Sequence, residues 1–314
     1  MEGQSIAPLA PTGRFAREQT DRLIGLLAVQ IARTIRSHGA AEVHDLRVAI
    51  RRFLSALAAL KPCFPRNESA KIRRGLKKIM LRAGSVRDRD IALRLLAKGM
   101  PQASGAAARR FRTERQAAAR ALTGSLKRWV RRSSSAAWRA ALEGGAGEGF
   151  QAKPVAATAA GTLPRMAKEY FRRGKIAVRD KATAEELHRF RIAAKNLRYT
   201  LEVFAPVYGD SVNGLRQQLK GVQTLLGGIN DCATVRRMAS RLEGCEELLE
   251  ALKRRQRKKT AEFREHWAAA FSNGTEAVRW MECLRNPAGG HRAARKPPAR
   301  SAPLTIAAGR SASA

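Results

Sequence analysis

The sequence predicts an all-α fold, and three observations carry that expectation. The composition is rich in Ala, Leu and Arg and poor in β-branched and aromatic residues, the aromatics standing at only 5%, which favours helices. No segment of any length alternates apolar and polar residues with period two, so a sheet has no support. The helical pattern also occurs twice, which adds two related bundles arranged about a pseudo-twofold axis. With 314 residues, 44% of them hydrophobic, the chain can bury a real core, and global disorder is excluded.

Taken in order, residues 1–13 form a flexible lead-in. Helical periodicity punctuated by Pro and Gly then predicts helices at 14–37, 40–61, 66–83, 86–98, 103–130 and 134–142. The small, unpatterned stretch "EGGAGEGFQAKPVAATAAG" (143–161) reads as a linker. The pattern resumes at 162–179, 183–205, 210–227, 230–241, 245–271 and 275–285. The tail, 286–314, has the Pro, Gly and Ser content of disorder. The two repeats are therefore 14–142 and 162–285.

The repeat is visible residue by residue. "HDLRVAIRRFLSAL" (44–57) aligns with "HRFRIAAKNLRYTL" (188–201) at an offset of 144, matching His44 with His188, Arg47 with Arg191 and Arg51 with Lys195. At an offset of 143, Arg73 and Lys77 match Arg216 and Lys220, and "AGSVRDRD" (83–90) matches "LGGINDCA" (226–233), pairing Asp88 with Asp231. A duplicated unit with one indel gives this drift.

Lys and Arg number 61 against 26 acids, a net charge of +35. The tail holds only five of those bases and no acid, leaving +30 on the first 285 residues. Such an excess opposes compaction and implies a polyanionic partner: nucleic acid, an anionic membrane or a phosphate polymer. A basic residue on a helix is ordinarily a solvated face. On the helix containing His44, however, His44, Arg47 and Arg51 fall on one narrow stripe, apart from the apolar face of Leu46, Ile50, Phe53 and Leu57. His188, Arg191, Lys195 and Arg198 do the same in the second copy. Like charges stacked at this spacing cost a few tenths of a kcal/mol per pair, and their recurrence in register points to a ligand that neutralises them. The next helix of each half adds Arg73, Lys77 and Lys78, then Arg216 and Lys220. The two histidines read either as packing or capping residues or as donors whose charge depends on an anion. Asp88 and Asp231, each after a Gly-containing turn, read as helix caps that also hold neighbouring arginines.

These residues resemble a known family. "VHDLRVAIRR" followed by "GSVRDRD", and "LHRFRIAAKNLRY" followed by "LKGVQTLLGGIND", look like the two halves of a CHAD domain, the conserved-histidine α-helical domain, over residues 14–285. The resemblance implies two pseudo-symmetric helical bundles with a basic cavity or groove between them. It also implies binding of inorganic polyphosphate and association with polyphosphate granules. Carried onto this sequence, the ligand residues are His44, Arg47, Arg51, Arg52, Arg73, Lys77 and Lys78, with His188, Arg191, Lys195, Arg198, Arg216 and Lys220. Two departures stand out: Leu54 where a further arginine is usual, and Lys195-Asn196 where the first copy has Arg51-Arg52. The triphosphate-tunnel domain that accompanies many members, with its strands and EXEXK motif, has no counterpart here, so its hydrolytic activity is not expected.

A nonspecific nucleic-acid binder is the main rival, since the charge would serve it equally and the basic tail could reach DNA. Against it, the basic stripes carry no interleaved aromatics for base stacking, Tyr199 excepted. An enzyme is not expected: the sequence offers no nucleophile motif, P-loop, metal-ligand cluster or paired carboxylates. No cofactor or metal is expected either. Cys63, Cys232, Cys245 and Cys283 are scattered and read as reduced thiols of a cytoplasmic protein. The N-terminus lacks the basic and apolar regions of a secretory leader, and no apolar run approaches a membrane span.

Overall fold

The computed structural model describes residues 8–99, 105–143, 151–271 and 273–287. The first half comprises α1 (Thr12–Arg36), α2 (Ala40–Ala59), α3 (Arg66–Gly99), α4 (Gly105–Arg131) and α5 (Ser134–Glu143). The second comprises α6 (Val155–Ala177), α7 (Ala184–Tyr208), α8 (Asn213–Ala239), α9 (Glu246–Phe271) and α10 (Thr275–Arg285). Short 3-10 turns occupy Lys61–Cys63 and Gly209–Val212, and no strand occurs among the described residues. The expected all-α class is what the chain adopts.

Prolines start the first helix of each half. Pro11 precedes α1 and Pro154 precedes α6, and the two face each other in an antiparallel bridge. Thr12 N–H donates to the Lys153 carbonyl at 2.8 Å, Val155 N–H donates to Ala10 at 2.9 Å, and the Thr12 and Thr158 hydroxyls meet at 2.9 Å. This clip recruits residues 155–161, expected in the linker, into the first turns of α6. The helix then runs through Pro164, at a cost of about 3 kcal/mol for an interior proline, because buried Leu163, Ala167 and Tyr170 fix it against the core. At the start of α7, Thr183 and Glu186 form a reciprocal capping box.

Two expected breaks do not occur. Residues 66–83 and 86–98 belong to the single helix α3, and 210–227 and 230–241 largely to α8. A glycine costs a helix only about 1 kcal/mol relative to alanine, and packing on both sides outweighs that at Gly84 and at Gly227-Gly228. Of the expected tail and linker, residues 288–314 and 144–150 lie outside the described residues.

Packing follows one succession in each half. Helix α2 packs on α1 and α3, and α7 packs on α6 and α8; α3 and α8 in turn receive α4 and α9. The halves join where α2 meets α7 and where α3 meets α8. One large apolar core spans both halves, with Phe15 of α1 stacked on Phe204 of α7 at 5.9 Å between centroids. A second, smaller core joins Ile91, Leu95 and Phe111 to Cys232, Val235 and Leu248. Along α3 the first core ends at Val86 and the second begins at Ile91; along α8 the corresponding residues are Ile229 and Cys232. Asp88 and Asp231 lie in these two gaps, so a charged layer separates the cores.

Candidate anion-binding site

The charged layer is built by four helices. Helix α2 supplies Arg47 and Arg51, α7 supplies Arg191 and Lys195, and α3 and α8 supply Asp88 and Asp231. Arg47 is the most enclosed base of α2. Its Nη1 donates to the Met80 carbonyl at 3.3 Å and lies where Gly84 has no side chain: a Cβ there would stand 2.9 Å from it. Gly84 is thus not a turn residue but the room that lets an arginine lie against α3.

Removal from water dominates the electrostatics of this layer. Burial, then the charge of Arg51, lowers the Arg47 pKa to about 10 despite the nearby Asp88. Arg191 is lowered by burial, with Asp231 opposing the shift, and its Nε is buried without a partner. Lys195 is pushed furthest, to about 6, by burial and then by Arg191, Arg51 and Arg47. An ammonium this far down is largely neutral at pH 7. The Asp231 carboxyl is raised by burial, although Arg87, Arg191 and Arg94 favour its ionised form. These mutual effects place the repeat-matched pairs Arg47 and Arg191, Arg51 and Lys195, and Asp88 and Asp231 together at the junction of the halves.

Asp88 and Asp231 stand well inside α3 and α8, so the cap reading is corrected; Asp231 receives Arg94 from the other half at 3.5 Å. Arg87 and Arg94 are the residues that the stripe argument missed. Both follow Gly84 on α3; the signal for Arg87 was the charge density of "RDRD" (87–90), while Arg94, beyond it, had none. His44 and His188 are exposed at the edge of the layer. Burial and then Arg87 lower the His44 pKa, so its imidazole is neutral at pH 7. Asp45, which falls outside the repeat, reaches Arg33 of α1 at 4.0 Å.

Other expected site residues lie elsewhere. Arg52 and Arg198 both bind Glu202, at 2.7 and 3.0 Å, one to each carboxylate oxygen. Arg198 also donates to Gln223 at 2.9 Å and lies over the buried Tyr199 ring. Arg216 lines a small pocket with Arg22, Arg52 and Glu202. Arg73 and Lys77 line a separate groove beside Arg165 and Asn196. Lys78 and Lys220 are exposed.

Comparison with known proteins agrees with this architecture. The family model described as the CHAD domain matches residues 19–240. The chain belongs to the CHAD domain family. The crystal structure of the CHAD domain from the plant Ricinus communis is similar to it with a TM-score of 0.63 at 20% identity. That likeness covers 90% of this chain and 96% of the plant chain, and it establishes the shared fold. No curated protein matches the sequence. Among the described residues, no helix of this CHAD domain is long and apolar enough to cross a membrane, and no group of three or more His, Cys, Asp or Glu is placed to hold a metal.

Proposed function

We propose that this CHAD domain binds inorganic polyphosphate in the charged layer between its halves, without chemical turnover, and that this binding associates it with polyphosphate granules in the cytoplasm. The observation that carries the reading is the enclosed cluster of Arg47, Arg51, Arg191 and Lys195 at the junction of the halves, where the buried Arg191 Nε has no partner among the described residues and the crowding lowers the Lys195 pKa. Bases crowded and dehydrated to that degree are mutually destabilising in the free protein. A chain bearing one negative charge per repeating unit supplies closely spaced charge that offsets them. Arginine forks suit phosphate oxygens in pairs, and the lysine adds a point charge. Related halves presenting matched bases across a pseudo-twofold would clamp an extended polymer that has no direction to read.

Nucleic acid is the competing polyanion. Every aromatic side chain among the described residues is buried or half-buried, so the surface lacks a platform for stacking bases. A competition measures the preference: labelled long-chain polyphosphate is displaced by duplex DNA at fixed salt. DNA is expected to need at least tenfold more phosphate than unlabelled polyphosphate; equal displacement contradicts the reading.

A further inference from the structure

Beside the charged layer, the second half holds a cavity of about 520 Å³ whose floor is Leu187, Leu226, Ile229 and Ala233. Its rim brings His188, Arg191 and Arg237 together with the amides of Asn230 and Gln256. Inorganic polyphosphate has no apolar part, so such a floor gives it nothing. Arg191 belongs to both places, lining the cavity while sensing Asp231, Arg51 and Asp88 in the layer. A ligand could therefore have an apolar, hydrogen-bonding body in the cavity and an anionic chain running past Arg191.

The matching positions of the first half are different. At the offset of 143, Asn230 corresponds to Arg87, Ala233 to Asp90 and Arg237 to Arg94. Asp90 is held by Arg115 at 2.7 Å, and the same arginine reaches the His38 carbonyl at 2.7 Å. Arg94 is engaged with Asp231. Where the first half has ion pairs, the second has alanine, an amide and an arginine, Arg237, with no acidic partner among the described residues. The carboxylate in the lining, Glu185, is already paired with Arg189.

The two amides are half used. Gln256 accepts from Arg236 at 2.9 Å, and Asn230 donates to Thr234 at 3.4 Å. An amide donor on one and an acceptor on the other stay open, the pairing that the polar edge of a nucleobase requires.

We infer that this cavity is a nucleoside polyphosphate site, with the base on the aliphatic floor between Asn230 and Gln256 and the phosphates directed past Arg191 into the charged layer. The inference rests on the reading of that layer as a phosphate site. Calorimetry with ATP and with inorganic tripolyphosphate, at the same salt and without divalent cations, tests it. Tripolyphosphate has at least as much charge, so an electrostatic site alone gives it equal or tighter binding. The expected result is at least tenfold tighter binding of ATP. Ala233→Leu fills the floor, and Gln256→Ala removes one hydrogen-bonding partner while leaving every base in place. Each is expected to weaken ATP at least fivefold and to leave tripolyphosphate within twofold. Equal affinity for the two ligands in the unaltered protein, or an ATP preference that survives both substitutions, overturns the inference. Long-chain polyphosphate titrated in parallel separates the two readings. If it binds while ATP shows no preference, only the cavity reading fails; if ATP is preferred and long-chain polyphosphate does not bind, only the polymer reading fails.

Discussion

Two groups of bases lie where α2 meets α7, and they differ in whether a carboxylate pairs with them directly. Arg52 and Arg198 converge on Glu202, whose side chain is only 10% exposed and which receives one arginine on each oxygen. Arg47, Arg51, Arg191 and Lys195 converge one turn or so away, with Asp88 and an Asp231 already engaged by Arg94. The first group is held by direct ion pairs to Glu202 and joins the halves. The bases of the second, Arg47, Arg51, Arg191 and Lys195, have no such direct pair among the described residues, and crowding with burial lowers the Lys195 pKa furthest. The contrast teaches that what faces a basic stripe from the other half decides whether its bases are paired within the fold or left, on the proposed reading, for an anion.

Arg47→Ala with Arg191→Ala removes two forks, each charge-assisted contact being worth about 1.5–3 kcal/mol. Polyphosphate affinity measured at fixed salt is expected to fall at least a hundredfold. Lys195→Met should act in opposite directions on binding and stability. Affinity falls about tenfold, while the free protein gains about 1–3 kcal/mol near pH 7, because the fold no longer has to bury an amine that keeps its proton in the unfolded chain. The sign follows from the pKa. Lys195 folded titrates near 6 and unfolded near 10.5, so the unfolded chain binds more protons between those values and stability rises with pH there. Thermal melts across that window should show the slope in the unaltered protein and a smaller one in Lys195→Met.

Arg52→Ala with Arg198→Ala leaves Glu202 without its partners and is expected to cost about 1–3 kcal/mol in denaturant unfolding. Polyphosphate affinity should stay within about threefold. Glu202→Gln releases both arginines beside the layer, and a modest gain in affinity, about twofold to fivefold, is the smallest effect expected.

Much of this arrangement was legible in the sequence because the two halves align in register. The offsets of 144 and 143 matched Arg47 with Arg191, Arg51 with Lys195 and Asp88 with Asp231, and all three pairs meet in the charged layer. The helix class followed from composition and periodicity. Three features could not be read in this way. Gly84 looked like a break, but its role is the space it leaves for Arg47, a contact between residues 37 positions apart. Arg52 and Arg198 shared a motif with the bases of the charged layer, and only the approach of α7 to α2 shows that Glu202, 150 residues from Arg52, takes them both. Arg87 and Arg94 sit off the stripe and act across the junction, where helical spacing within one half has no say. The boundary at 155–161 failed for a similar reason: small residues without a pattern become helix when Pro11 and Pro154 pin the chain on either side.

On the proposed function, Lys195, its pKa lowered to about 6 in the free protein, is charged by the ligand. Proton uptake at pH 8 measures this directly, by titrating long-chain polyphosphate into the protein in two buffers of different ionisation enthalpy. Lys195 is deprotonated there in the free protein, and a neighbouring phosphate returns its pKa toward the ordinary lysine range. The expected result is uptake approaching one proton per bound site, absent in Lys195→Met. Binding of undiminished affinity with no proton taken up at pH 8 would contradict it.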